Sequence, residues 1–328
     1  MLNHEVVRTE EGSRTSGRNL PRYAELPLSP EGVRVAWGTF AARDELGTVN
    51  RLDRAATLQG LAAAVEGRVV SLNWDATLPD PHPWRTTPRR VHHAGSPYTR
   101  DDVLAHLHLQ FSTQWDGLRH VGLPSGFYNA TPATEVDDPD SDVLGIHRWA
   151  DHGLVGRGVL LDVAAAAADG HPFDPMERHV ITVDDLERTA RRHGVALAPG
   201  DVLLVRTGWI EAYERLDAAG RQSLDRDMAS AGLEGSERTA EWLWDHGVAA
   251  VAADNMAVEA MPFRPGFPAG SLHALLLPAL GMPLGELFRL ADLASICARN
   301  GRYTFLFAAV PLNVRGAVGS PGNALAIT

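Results

Sequence analysis

The sequence predicts a single α/β domain with a mixed sheet. Apolar runs of strand length alternate with segments of helical period, but the alternation is uneven, so strands should pair in both directions. The chain has 328 residues, 45% of them hydrophobic, which is enough for one large core. No glycine-rich phosphate-binding motif and no internal repeat interrupts this pattern. We therefore divide the chain into an N-terminal arm, residues 1–30, and one domain, residues 31–328.

The first half of the chain begins with a polar, proline-containing lead-in, for which we predict loose packing. A helix then starts at the N-cap residue Asp53 and ends before Gly67, and a strand follows at 69–74. The stretch 78–95 contains four prolines and no periodicity, so it predicts a long surface loop. Long loops in compact domains often act as lids or binding loops.

The second half of the chain alternates more regularly. A capping box at Thr182 and Asp185 opens a helix that Gly194 closes. The glycine- and proline-rich tail, GAVGSPGNALAIT, is predicted to wrap the surface or meet a partner subunit. The remaining predicted elements are a strand at 157–164, a strand within 197–209, a helix and strand within 234–255, a helix at 285–301 and a strand at 303–312.

Composition excludes several classes of function. The formal net charge is −11 and no basic stretch offsets it, which argues against a nucleic-acid partner. No apolar run approaches the roughly 20 residues that span a bilayer, and the N-terminus has no apolar signal-peptide region. The single cysteine, Cys297, excludes an internal disulfide and a multi-cysteine zinc site. A cytoplasmic protein that acts on a small molecule is expected.

The densest group of chemically active side chains lies in the segment QFSTQWDGLRH, residues 110–120. Its polar members are spaced four, two and four residues apart, so a strand-to-helix corner would aim them into one pocket. Carboxamide and carboxylate oxygens suit hard or borderline metals, and imidazole binds metals or moves protons near neutral pH. The segment therefore predicts a metal or acid/base site formed by Gln110, Gln114, Asp116 and His120.

The segment also resembles the signature H-x-G-T-H-x-D-x-P-x-H of the cyclase-like metal-dependent hydrolases, the family of bacterial kynurenine formamidase and isatin hydrolase. Thr113, Asp116 and His120 match that signature, while Gln110 and Gln114 stand where the family usually has histidines. The chain is similar to a longer branch with the form Q-x-S-T-Q-W-D-G-L and a later Tyr-Asn pair. Further blocks resemble the family in order: WGTFAARDELGTVNRL, LVGRGVLLDVA, PGDVLLVRTGW, VAADNMAVEAMP and PLNVRGAVGSPGNALAI.

The resemblance implies a swivelling β/β/α fold and a divalent metal ion, zinc or manganese. It implies that Asp116, His273 and Glu286 are metal ligands and that His120 is the acid/base. Gln110 and Gln114 would be weak ligands, which favours manganese, or would instead hydrogen-bond the substrate or a water. The resemblance also implies homodimers or homotetramers whose active sites borrow residues from the neighbouring subunit.

The pocket wall is predicted from the remaining aromatic and polar residues of these blocks. Four aromatic side chains would surround a planar or cyclic substrate, with burial in the core as the alternative. Asp254 and Glu259 would line the pocket or support it, although capping a turn is an equal alternative for Asp254. The predicted substrate-binding residues are Trp37, Trp74, Trp115, Tyr128, Asn129 and Asp254.

These observations favour metal-dependent hydrolysis of a small cyclic amide, lactone or formamide-type bond. A first alternative is a cyclase or dehydratase that acts on a polyketide-like intermediate at the same site. A second is a metal-free binding protein of the same fold. Metal content and turnover separate the enzymes from the binding protein, and product mass separates hydrolysis from ring closure.

Overall fold

A nine-stranded mixed sheet forms the centre of the protein in the computed structural model, which describes residues 20–168, 170–224 and 228–328. Two small two-stranded sheets accompany it. The strands are β1 Val69–Ser71, β2 Arg89–Ala94, β3 Arg100–Ala105, β4 Gln114–Asp116, β5 Leu154–Asp162, β6 Val180–Ile181, β7 Val202–Arg206, β8 Gly232–Leu233, β9 Ala250–Ala253, β10 Leu284–Glu286, β11 Thr304–Ala309, β12 Gly319–Pro321 and β13 Ala324–Ile327.

Short helices connect these strands. Leu272–Ala274 continues directly into a π-helical turn, Leu275–Leu280, and 3₁₀ turns occur at Tyr23–Glu25, Gly47–Arg51 and Tyr128–Ala130. The α-helices are α1 Arg54–Ala63, α2 Ala133–Val136, α3 His147–His152, α4 Val163–Ala168, α5 Val183–His193, α6 Trp209–Glu214, α7 Ala218–Gln222, α8 Glu237–Asp245, α9 Leu272–Ala274 and α10 Ala291–Asn300.

The large sheet has the order β1-β13-β11-β5-β7-β9-β10-β4-β12. Its four central strands, β5, β7, β9 and β10, run parallel, and the strands on both flanks pair antiparallel. The predicted single α/β domain with a mixed sheet is therefore confirmed.

Two hydrophobic cores lie on opposite faces of this sheet. Because successive strand residues point to opposite faces, Leu203 and Val205 enter one core while Leu204 enters the other. The first core contains apolar residues of α5, α8 and the π-helical turn, and the second contains those of α10. Helix α1 packs against β5 and β11.

The two predicted helix starts are confirmed by their capping hydrogen bonds. The Asp53 carboxylate accepts from the backbone N–H groups of Ala55 and Ala56 at the start of α1. Thr182 and Asp185 form the reciprocal capping box of α5, which ends at Gly194 in the left-handed conformation (φ 64°). Helix α1 ends at Ala63, before the glycine that was predicted to close it.

Three element predictions are corrected. Residues 89–94 of the predicted loop form β2, which pairs with β3 in a solvent-exposed ribbon that has no core to impose an alternating pattern. The tail forms strands β12 and β13 of the main sheet and does not merely wrap the surface, while its contact with a partner subunit stays a prediction. The predicted helix at 285–301 begins only at Ala291, because residues 284–286 pair between two strands as β10.

The lead-in is packed where the structure describes it. Tyr23 and Leu26 are 4% and 1% exposed and belong to the first core, which corrects the predicted loose packing of residues 20–30. The rest of the predicted arm, residues 1–19, lies outside the described residues. The boundary at residue 30 stays a prediction. Among the described residues, helices that combine the length and apolar character needed to cross a bilayer are absent.

Candidate functional site

Strand β4 carries Gln114–Asp116 of the predicted motif and lies between two strands from the C-terminal part of the chain. It pairs with β10 on one side and β12 on the other, with Gln114 opposite Glu286 and Asp116 opposite Leu284. Gln114 and Asp116 therefore point to one face of the sheet while Trp115 is fully buried on the other. Gly285 stands opposite Trp115, and a Cβ there would approach Trp115 Cζ3 to 3.0 Å. Glycine is required at this position because a larger side chain would collide with the indole ring of Trp115.

His273 is the centre of the polar cluster. Its Nε2 atom lies 3.2 Å from Glu286 Oε1 and 3.7 Å from Asp116 Oδ2. Its Nδ1 atom lies 2.7 Å from Glu259 Oε1, and Glu259 also accepts hydrogen bonds from the backbone N–H groups of Leu272 and His273. Glu259 thus fixes the ring so that Nε2 faces the other two carboxylates. A carboxylate behind an imidazole is the usual support of a metal-binding histidine.

The two glutamines contact the carboxylates directly. The Gln110 side-chain amide donates to Asp116 Oδ1, and the Gln114 amide donates to Glu286 Oε2. These bonds orient the carboxylates, a role that was not predicted for either glutamine. They leave the carbonyl oxygen Gln114 Oε1 and the carboxylate oxygen Asp116 Oδ2 buried without a hydrogen-bond partner.

His120 lies at the edge of the cluster. Its Nε2 atom is 3.9 Å from Asp116 Oδ1, and its ring centroid is 6.2 Å from that of His273. Its side chain is 29% exposed, whereas that of Asp116 is 1% exposed. His120 therefore has access both to the buried carboxylate and to a molecule entering from outside.

Burial and charge shift the pKa values of this cluster strongly. Burial raises the pKa of Glu286 to about 7, and Asp116 adds to the rise. Burial alone would raise the pKa of Asp116, but His120 and His273 outweigh it and lower the pKa to about 2. Burial opposes protonation of His273, yet the three surrounding carboxylates raise its pKa well above the usual imidazole value. Burial lowers the pKa of His120, against the pull of Asp116.

The cluster fits a divalent metal ion. Ligand atoms of Asp116, His120 and His273 lie within 4.8 Å of one another, and Glu286 adjoins His273. Three buried carboxylates, those of Asp116, Glu259 and Glu286, surround one central imidazole, so the site has an excess of negative charge. The carboxylate oxygen Asp116 Oδ2 has no hydrogen-bond partner, so it is available as a ligand to a cation.

A cavity of about 290 Å³ opens onto this cluster. Its floor is polar and includes His120, His273 and Glu286, while its walls are mostly apolar and aromatic. The lining residues are Trp84, Arg85, His120, Val121, Met256, Ala257, Glu259, Phe263, Phe267, Ser271, His273 and Glu286. An apolar cleft with a few convergent polar groups is the usual form of a small-molecule site.

The aromatic wall consists of residues other than those predicted. Trp115 and Tyr128 are fully buried in the second core. Trp37 donates its indole N–H to the Pro278 carbonyl, and Trp74 donates to Glu214. None of these four lines the cavity described above. The alternative of core burial accounts for Trp74, Trp115 and Tyr128, whereas Trp37 is only partly buried and packs against both cores.

Asn129 and Asp254 also hold the fold together instead of lining the cavity. Asn129 accepts from the Gly38 backbone N–H and donates to the Asp44 carbonyl. Asp254 accepts from the backbone N–H groups of Thr207 and Gly208, which is the turn-capping alternative. Burial, with a contribution from the carboxylate of Glu211, raises the pKa of Asp254 to about 7.

Four cavity residues, on two loops, were not predicted from the sequence. Trp84 and Arg85 belong to the proline-rich stretch that was predicted as a long surface loop, a type of segment that often forms a lid or binding loop, but neither residue was singled out. Phe263 and Phe267 lie in the loop between β9 and α9, and they are 51% and 55% exposed. Aromatic residues among the prolines and glycines of MPFRPGFPAG were the available signal.

Comparisons with known proteins place the chain in a family. A family model described as Cyclase matches residues 39–260, a range that includes β4 and Glu259 but stops before His273. A crystal structure described as a novel cyclase is 33% identical, with a TM-score of 0.80 and coverage of 90% of this chain and 99% of the other. No curated protein matches.

Isatin hydrolases share the fold at lower identity. Isatin hydrolase A from Ralstonia solanacearum is 22% identical, with a TM-score of 0.57 and coverage of 79% of this chain and 91% of the other. The enzyme from Labrenzia aggregata, bound to benzyl benzoate, is 18% identical, with a TM-score of 0.55 and coverage of 79% and 93%. The extent of the family match and the identity to the novel cyclase together show that the chain belongs to the cyclase family.

Proposed function

We propose that the protein is a metal-dependent hydrolase of a small cyclic amide, lactone or formamide-type bond. The observation that carries this proposal is that His120, His273 and Glu286 lie on the floor of one apolar-walled cavity, with the buried Asp116 directly behind the two histidines. The isatin hydrolases among the solved structures of the same fold support the reaction type.

The residues have separable roles in this proposal. Asp116, His273 and Glu286 would hold the ion, with zinc or manganese as the candidates, and Glu259 fixes the orientation of His273. When bound, a divalent ion supplies Lewis-acid chemistry by polarising a carbonyl and lowering the pKa of water.

His120 would act as the proton carrier. Its partial exposure and its distance of 3.9 Å from Asp116 put the imidazole between the buried cluster and the cavity. Because burial lowers its pKa, the ring is mostly neutral near pH 7 and can accept a proton from the attacking water. It then returns that proton to the departing nitrogen or oxygen.

Metal content is the first test of this proposal. Protein purified without a histidine tag or chelator is expected to contain close to one divalent ion per chain, because the buried carboxylates otherwise lack sufficient counter-charge. Elemental analysis measures this directly. If the content stays far below one ion after incubation with Zn²⁺, Mn²⁺ and Fe²⁺, the metal-dependent function is rejected.

Product mass is the second part of the test. The metal-loaded protein is incubated with a panel of cyclic amides, lactones and aryl formamides, and the products are weighed by mass spectrometry. Hydrolysis adds the mass of one water to the substrate, whereas ring closure or dehydration does not. A product without added water would favour the cyclase or dehydratase alternative.

We also propose that the protein is a homodimer or homotetramer. Phe263 and Phe267 are about half exposed at the cavity, and the ribbon of β2 and β3 carries the almost fully exposed Tyr98. An isolated two-stranded ribbon is marginally stable in water, so a second subunit would give it a packing surface. Light scattering at micromolar concentration should find an oligomer. A fully active monomer would reject this proposal.

A further inference from the structure

The side chain of Arg85 brings a positive charge to the cavity and forms no ion pair with a carboxylate of the described residues, although at longer range its charge lowers the pKa of Glu286. It lines the same space as His120, Glu259 and Glu286 and is only partly exposed. Within residues 20–168, 170–224 and 228–328, carboxylates are absent from the 4.0 Å around its guanidinium nitrogens. Among these described residues, its one hydrogen-bonding contact joins Nη1 to His82 Nε2 at 3.4 Å.

His82 does not neutralise this charge. Burial, with Arg85 as the second cause, lowers the pKa of His82 to about 3, so the imidazole is uncharged near neutral pH. The carboxylates on the cavity floor are already engaged. Glu259 bonds His273, while Glu286 bonds both His273 and Gln114. Most of the five guanidinium N–H donors of Arg85 are thus available to a ligand.

The surroundings of Arg85 favour pairing with an anion. Trp84, Phe263 and Phe267 make the cavity walls apolar, and a charge kept from water is stabilised by a partner at short range. The planar guanidinium matches a carboxylate through two parallel hydrogen bonds. A cavity of about 290 Å³ leaves room for one ring with small substituents.

We propose that Arg85 binds a carboxylate of the substrate, and that the substrate is a small ring compound carrying this carboxylate in addition to the bond that is cleaved. The reaction in this statement rests on the proposed hydrolase function. The proposed binding of an aromatic carboxylate is independent of the hydrolase function, since it depends only on the cavity and on Arg85.

Binding is tested by calorimetric titration of the metal-loaded protein with benzoate and with its neutral counterpart benzamide. Arg85→Gln is expected to raise the Kd of benzoate about 10- to 100-fold, as for loss of a hydrogen-bonded charge pair, and to leave that of benzamide unchanged. Arg85→Lys should retain much of the benzoate affinity because it keeps the charge.

Arg89→Gln is the matched control, since Arg89 is an exposed residue of the ribbon and its loss changes the net charge equally. It should bind both ligands as the parent does, and thermal unfolding establishes that all variants are folded. The proposal is overturned if the parent does not bind benzoate. It is also overturned if Arg85→Gln binds benzoate as well as the parent, as expected when the carboxylate contacts only the metal, or if it loses both ligands equally.

Turnover measurements distinguish a failure of the proposed role of Arg85 from a failure of the proposed hydrolase function. For 2-formamidobenzoate and 2-formamidobenzamide, the ratio of kcat/KM values is expected to favour the acid in the parent and to fall about 10- to 100-fold in Arg85→Gln. Equal ratios in parent and variant, with turnover intact, would overturn the role of Arg85 alone. If the parent hydrolyses neither this pair nor the wider panel, the hydrolase function fails, and the benzoate titration still decides the role of Arg85.

Discussion

Replacing Asp116 with alanine is expected to remove both the metal ion and the activity. Asp116 supplies the buried oxygen that has no hydrogen-bond partner, and it faces both His120 and His273. Without it, two of the three cluster carboxylates remain and the two histidines lose their shared neighbour. We expect kcat to fall by at least about 10²- to 10⁴-fold, which is the usual loss when a general acid or base is removed. Elemental analysis and steady-state kinetics measure the two effects.

The control for this variant is Asp102→Ala. Asp102 is an exposed carboxylate of the ribbon, where it pairs with His92 and Arg90, so its removal changes charge without touching the site. It should keep the metal and the activity. Asp116→Ala leaves the Gln110 amide without its acceptor, which costs about 1–3 kcal/mol of stability and not the fold. An Asp116→Ala protein that keeps full activity would show that this cluster is not the active site.

Replacing His120 with alanine is expected to lower kcat by about 10²- to 10⁴-fold while the metal content stays close to that of the parent. The imidazole lies at the cavity edge, 3.9 Å from Asp116, whereas His273 and the carboxylates surround the centre. A proton carrier is lost but the ion keeps its other ligands. The parent should also show an imidazole-like limb in the pH dependence of kcat. Because burial lowers the pKa of His120, this limb should lie below the usual imidazole value and be absent from the variant.

His93→Ala is the matched control for His120→Ala. His93 is an exposed residue of β2 on the ribbon, so its loss should change neither kcat nor metal content. Thermal unfolding of both variants should resemble that of the parent. If His120→Ala loses the ion as readily as Asp116→Ala does, His120 is a ligand and the assignment of roles is wrong.

Local signals in the sequence were enough to predict much of the fold. Asp53, Thr182 and Asp185 cap helices through contacts within a few residues, so the helix starts were readable from the chain alone. The exposed ribbon and the tail strands could not be predicted from local signals. The ribbon lacks a buried face that would impose alternation, and the tail consists of short strands whose pairing depends on distant partners.

The candidate site was predictable to the extent that motif spacing determined it. Spacing predicted that Gln110, Gln114, Asp116 and His120 share one pocket, and the family resemblance added His273 and Glu286. The structure brings these six residues together, while their individual roles stay predictions. The hydrogen bonds from the glutamines to the carboxylates were not foreseen, because they depend on the cross-strand register of β4 and β10. The aromatic wall was assigned to Trp37, Trp74, Trp115 and Tyr128, none of which lines the cavity, since composition alone does not distinguish an aromatic side chain that packs in the interior from one that lines a cavity.

The position of β4 also determines when the site can exist during synthesis. Gln114 meets its partner Glu286 across 172 residues of chain, and Trp115 donates to Gly322 across 207. A ribosome therefore produces Asp116 long before it produces the strands on either side, and an N-terminal fragment cannot assemble the cluster. Pairings so distant in sequence slow folding, because much of the chain must be ordered before they form. An ion that binds the finished cluster and not the unfolded chain would pull this late step toward the native state.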